Sequence, residues 1–231
     1  MCGRFCLTSS VEALRHLFGF QESPNLPPRY NIAPTTPISA IRLSLRDGNS
    51  TPEYFSAHWG LVPSWSKSAD FSAKMINARS ETVTEKPSFR AAYKARRCLI
   101  PANGFFEWQK LGKTAKQPWL IGLKETPLIA FAGLWENWKD ADGQNLESCT
   151  ILTTTATDSI AFIHHRMPVI LEPENFVGWM SGQEGASLLK PYASDQVNFH
   201  KVSARVGNIR NDDTELLESI NAPEQAQQEL F

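Results

Sequence analysis

The sequence predicts an α+β fold: one compact domain with a mainly antiparallel, barrel-like β core and peripheral helices. Three observations predict it. Short β-branched or aromatic runs, broken by turn residues, fill the chain from Arg97 onward. Brief stretches with helical periodicity precede and interrupt them. The 231 residues, 42% hydrophobic, carry no internal repeat and no dividing linker, so they supply one sizeable core. The domain is expected over residues 2–220, with a flexible tail over 221–231.

Each element follows from its residues. In "TSSVEALRHLFGF", Ser9 or Ser10 caps a short helix, Val11, Leu14, Leu17 and Phe18 share a face, and Gly19 ends it. "ESPNLPPRYNIAPTTP" is rich in proline and polar residues and reads as an extended irregular segment. "ISAIRLSL" alternates like a strand and "RDGN" supplies a turn. The stretch "HWGLVPSWSKSADFSAKMINARSET" has no clean period and reads as a long ordered loop, a class often reserved for function. "SFRAAYKARR" suits a helix. Strands are expected at "RCLIPA", "FFEWQK", "QPWLIGL", "LIAFAGLWENW", "SCTILTTTA", "HHRMPVIL" and "FHKVSA". Helices are expected at "PENFVGWMSG" and "GASLLKPY".

Composition narrows the function. No run of about 18 apolar residues predicts a transmembrane helix. The start lacks the basic and apolar regions of a signal peptide, so a cytoplasmic protein is expected. Cys2, Cys6, Cys98 and Cys149 form no CxxC pair, which argues against structural zinc and a disulfide framework. Net charge is −1, but its distribution is uneven. Lys86, Arg90, Lys94, Arg96, Arg97, Lys110, Lys113, Lys116 and Lys124 form a basic tract whose sole acidic member is Glu107. Such a tract fits an anionic partner such as a nucleic-acid backbone; a merely solvated basic face is the alternative.

The start "MCGRF" raises a chemical question. The small side chain of Cys2 permits removal of Met1, which would leave a thiol and a free α-amine on one residue. Such a 1,2-aminothiol condenses with an aldehyde to an imine, and the thiol then closes a thiazolidine ring. Tethering gives ring closure a large effective-molarity advantage. An α-amine titrates near ~7.7–8.0 and a thiol near ~8.5, so both are partly available at neutral pH. An N-terminal thiol assisted by its own amine would instead make an amidohydrolase. The plain alternative is a small residue in a frayed terminus.

Other residues offer acid–base help and anion grips. Glu107 in "NGFFEW" is a candidate proton carrier, or simply a partner for a local lysine. "FIHHRMP" sets two histidines beside Arg166. On a strand, His164 and His165 would face opposite sides, so one at most enters a given site, and the pair makes a poor metal clamp. In "INARSET", Asn77 is placed to orient a polar group and Arg79 to fork onto phosphate. Pro63 and Trp65 in "GLVPSW" form an apolar pair that would wedge or stack against bases if exposed. "KVSARVGNIRN" adds Lys201, Ser203 and Arg205 as backbone contacts.

Taken in order, "MCGRF", "RYNIAPT", "WGLVPSW", "INARSET", "RCLIPANGFFEW", "AGLWE", "IHHRMPVIL" and "KVSARVGN" resemble the motifs of the SRAP (SOS response-associated peptidase) family, from Cys2 to about Arg210. The resemblance implies an α+β domain around a β-barrel-like core. It also implies a DNA-damage protein that senses abasic sites in single-stranded DNA. Cys2 would cross-link to the ring-opened sugar aldehyde through a thiazolidine, Asn77 would contact the sugar, Glu107 would assist cross-linking and reversal, and His164 would promote ring opening. Arg4, Asn31, Arg79, Trp108 and Arg166 match positions near DNA. Lys86 must supply the phosphate contact where Pro87 stands at an often basic position, and Asn103 replaces a common aspartate.

The family name implies a thiol peptidase, met here by self-removal of Met1, with lyase chemistry at the sugar as a further activity. No cofactor or metal is expected, and a monomer is. An N-terminal-nucleophile glutaminase, a thiol peptidase using Cys2 and His164, and a non-covalent single-strand binder are the rival readings.

Overall fold

In the computed structural model, which describes residues 2–46 and 49–220, strand β1 (Phe5–Leu7) leads into helix α1 (Val11–Phe18). Then follow β2 (Arg29–Ile32), β3 (Pro37–Arg46), β4 (Asn49–Trp59), β5 (Asn77–Arg79) and helix α2 (Arg90–Ala95). Five strands come next: β6 (Arg97–Ala102), β7 (Gly104–Lys110), β8 (Lys116–Leu123), β9 (Ile129–Lys139) and β10 (Asn145–Thr155). The last elements are β11 (Arg166–Pro168), β12 (Ile170–Leu171), helix α3 (Phe176–Ser181) and β13 (Val197–Lys201). The "RDGN" turn centre and the tail 221–231 lie outside the described residues. No described helix is long and apolar enough to cross a membrane.

Five of these strands close a ring. β4, β3, β6, β9 and β10 pair in that order, and β10 returns to β4 through a parallel ladder, Ser148 opposite His58 and Cys149 opposite Trp59. All other ring pairings are antiparallel. The expected barrel-like core is therefore a mixed one. Covered on both faces, β9 is buried throughout "IAFAGL" and begins to alternate only beyond it. A second sheet, in the order β13-β8-β7-β1-β2, is antiparallel throughout and packs on the barrel. Phe5 of this sheet meets Trp59 at 5.1 Å and Phe131 at 5.9 Å between ring centroids, edge-on, so the two layers share an aromatic core.

Local chemistry sets the boundaries. Ser10 caps α1 by accepting from the Ala13 N–H (3.3 Å), and Gly19, at φ 77°, ends it by donating to the Arg15 carbonyl. Gly60, at φ 143°, turns the chain off β4 where a β-carbon would lie 2.6 Å from the Ser72 carbonyl oxygen. Asn103 accepts from the Thr8 and Ser9 N–H groups and donates to the Ser9 hydroxyl and the Pro127 carbonyl. An aspartate would supply the acceptor and lose the donation to Pro127.

Three expectations change. The stretch after Trp59 contains a 3₁₀ turn at Ser72–Lys74 and strand β5, so "INARS" is ordered on β10. Only a 3₁₀ turn, Ala186–Leu188, forms within "GASLLKPY", where Pro191 bars continuation of a helix. "HHRMPVIL" becomes a strand only at Arg166: His164 donates its N–H to Ile160 in a helical turn.

Candidate active site

Four chain segments meet at Cys2. Strand β1 pairs with β7, Phe5 opposite Phe105, so the residues before Phe5 run beside Glu107. Asn77, at the start of β5, is carried on β10 opposite Ile151. Its side-chain amide donates to the Cys2 carbonyl at 2.7 Å. The Asn77 side-chain oxygen is buried and has no partner among the described residues, which leaves one acceptor for a hydroxyl at the site. His164, in the turn ahead of β11, places Nδ1 3.9 Å from Glu107 Oε1.

Burial sets the protonation states. Cys2 is fully enclosed, and burial, reinforced by the nearby Glu107 charge, pushes its thiol well above the usual range. Glu107 is 4% exposed, and burial raises its carboxyl pKa. His164 is pushed down to about 4, foremost by burial. Its Nδ1 lies 3.0 Å from the Arg166 backbone N–H; as acceptor there it leaves the proton of the neutral ring on Nε2. A carboxyl whose pKa burial raises thus sits beside an imidazole that stays neutral. Sequence reasoning puts Cys2 at an exposed terminus; the structure puts it in the core, because β1 carries it between the two sheets.

The other candidate residues divide into three groups. Arg79, Lys86 and Trp65 are exposed. Arg79 and Lys86 carry no ion pair among the described residues, and Trp65 is 65% exposed. Pro63 corrects the expected wedge: it is buried, so the indole stands without it. Arg166, expected near DNA, is instead largely buried and committed within the fold. It is 7% exposed, with its guanidinium held by both Glu81 oxygens and the Thr153 carbonyl. It therefore fastens Glu81, just beyond β5, to β10 and β11.

Arg4, Asn31, Trp108, Ser203 and Arg205 gather on the outer face of the second sheet, away from Cys2. Alternation along β7 sends Trp108 to the face opposite Glu107, into a small cluster with Cys6, Phe106, Val202, Val206 and Leu216. Asn31 is 4% exposed and donates to the Val206, Asn208 and Asn211 carbonyls. Arg4 donates to Asn31 and to the Val206 carbonyl. Arg205 pairs with Asp213 and Glu215, and the Ser203 hydroxyl accepts from the Arg205 N–H. Arg4 and Asn31 fasten the segment 206–211 to the sheet, while Arg205 pairs within the stretch 205–215 and stays exposed. The two histidines also depart from expectation. In a turn rather than a strand, their rings stack at 4.4 Å and face the same way. The partners of Arg166, Glu81 and Thr153, carry no sequence signal, since they lie 85 and 13 residues away.

A family model described as SOS response associated peptidase (SRAP) matches residues 1–209. This chain belongs to the SRAP family. Relatives agree along its length. The abasic site processing protein YoqW of Bacillus subtilis is 40% identical over 227 residues, covering 95% of this SRAP chain and 100% of that protein. The abasic site processing protein HMCES of Rattus norvegicus is 32% identical over 253 residues, covering 93% of this chain and 71% of that protein. The crystal structure of a Bacteroides thetaiotaomicron protein superposes with a TM-score of 0.83 at 28% identity, covering 95% of the SRAP chain and 100% of that one.

Proposed function

We propose that this SRAP chain captures abasic sites in single-stranded DNA as a covalent thiazolidine at Cys2, once Met1 has been removed. The convergence of Cys2, Asn77, Glu107 and His164 from four separate segments of one chain carries the reading. The homologues named as abasic site processing proteins support it. One chain holds every group the reaction needs, so a monomer suffices, with residues 2–220 acting as one unit in the cytoplasm.

The ring-opened sugar presents an aldehyde, and the Cys2 amine adds to its carbonyl carbon. Loss of water gives the imine, and the Glu107 carboxyl, whose proton affinity burial raises, supplies the proton that the departing hydroxyl needs. The thiol then adds across the C=N bond, its proton passing to nitrogen, and the ring closes without any change of oxidation state. Neutral His164 hydrogen-bonds the sugar oxygen during opening, and the free Asn77 oxygen accepts from a sugar hydroxyl. Reversal retraces the same proton transfers through Glu107. Imine formation also permits β-elimination, the lyase activity of the same site. Cleavage before Cys2 is the peptidase step that releases Met1.

The test is a denaturing gel of the protein with single-stranded DNA bearing one abasic site, together with the intact mass of the protein. A shifted band is expected from a chain that begins at Cys2. No shift from such a chain overturns the reading.

A further inference from the structure

We propose that Phe162, Trp119 and Lys201 form a stacking subsite for the nucleotide next to the reactive sugar, an inference that rests on the reading above. Residues opposite one another in an antiparallel ladder share a face. Glu107 lies opposite Trp119, and Trp119 lies opposite Lys201. Carboxyl, indole and ammonium therefore form one row across β7, β8 and β13. At about 4.8 Å per strand, that row carries the chain from buried Glu107 to exposed Lys201 in about 10 Å, roughly one nucleotide's reach.

The aromatic part is built as a platform. Phe162 meets Trp119 at 5.4 Å and Phe199 at 5.7 Å, and Trp119 meets Phe199 at 5.7 Å, all edge-on. Edge-on packing braces the rings while Phe162 remains 50% exposed. The Trp119 indole N–H is satisfied by Gln109 at 3.1 Å, so the ring asks nothing polar of a visitor. Lys201 Nζ stands 5.6 Å from the Trp119 ring centroid and has no ion pair among the described residues. An apolar ring beside an uncommitted cation complements a base beside its phosphate. The platform touches the site twice: through the row from Glu107, and through the chain, since Phe162 stands two residues before His164. The position expected for the base is therefore next to the sugar.

Binding is measured by fluorescence anisotropy with single-stranded DNA carrying an unreactive tetrahydrofuran abasic analogue. Each neighbouring base in turn is replaced by a second analogue. Removal of one particular neighbour should weaken wild-type binding about tenfold. Phe162→Ala should show that loss with the base present and no further loss without it, and Phe162→Tyr should restore the dependence. Lys201→Ala should lower the salt slope by about one. The subsite is overturned if neither neighbour matters to the wild type, or if Phe162→Ala keeps the full dependence. Because this DNA cannot react, the result is independent of the cross-linking gel, whose failure would speak against the proposed function instead.

Discussion

On the outer face of the five-stranded sheet, Arg4, Asn31 and Arg205 are already bound to carbonyls and carboxylates of their own chain. On β5, which pairs with β10 of the barrel, Asn77 keeps a buried oxygen and Arg79 stands exposed, the first without a hydrogen-bond partner and the second without an ion pair among the described residues. The same residue types thus serve as fasteners in one region and as available contacts in the other. What separates them is the partner each has within the fold, which residue identity does not reveal. A guanidinium that spends Nη1 on Asn31 and the Val206 carbonyl is held in place, with fewer donors left for a phosphate.

The contrast can be broken most directly at Cys2. Cys2→Ala, or one added residue ahead of Cys2, should abolish the cross-linked band on a denaturing gel, whereas Arg205→Ala should leave its yield unchanged. Next in size, Glu107→Gln should slow cross-linking by about 10²–10⁴-fold while DNA affinity stays within about twofold, read from single-turnover kinetics and anisotropy. Equal losses in both would reduce Glu107 to a structural group. Arg79→Ala and Arg205→Ala give a third separation. The first should lower the salt slope of DNA binding by about one, and the second should leave it unchanged.

Stability sharpens the comparison from the other side. Asn31→Ala removes a buried amide that donates to the Val206, Asn208 and Asn211 carbonyls and should cost about 1–3 kcal/mol in urea unfolding, with cross-linking chemistry preserved. Glu107→Gln should do the reverse and stabilise the fold at neutral pH. Burial raises the folded pKa of Glu107 above its unfolded value near ~4.3, so the wild-type group costs nothing below that pH. The cost grows as pH rises toward the folded pKa. The gain from Gln should therefore vanish in acid and plateau above that pKa; a pH-independent gain would refute the burial argument.

Much of this was legible in the residues. Ser10 and Gly19 bound α1 as their chemistry predicts, and the runs from "RCLIPA" to "SCTILTTTA" are strands β6–β10. Cys2, Asn77, Glu107 and His164 were nameable from motif and chemistry, and they do assemble. Three things were hidden. The parallel closure of β10 on β4 joins residues about ninety apart and has no local pattern. Burial of Cys2 depends on two sheets meeting, and nothing in "MCGRF" signals it. The commitments of Asn31 and Arg166 depend on partners distant in sequence, so a polar side chain read alone looked available when it was not.

Strand β10 holds hydrogen-bonded ladders with β4, β5, β9 and β11, and two of those, β5 and β11, carry Asn77 and Arg166. The pocket around Cys2 thus waits for a segment that leaves the ribosome about 145 residues after the cysteine does. Until that late strand docks, the barrel that helps enclose Cys2 stays open, so slow growth of the chain, or a lesion in β10, would lengthen the interval before the thiol is shut away from solvent.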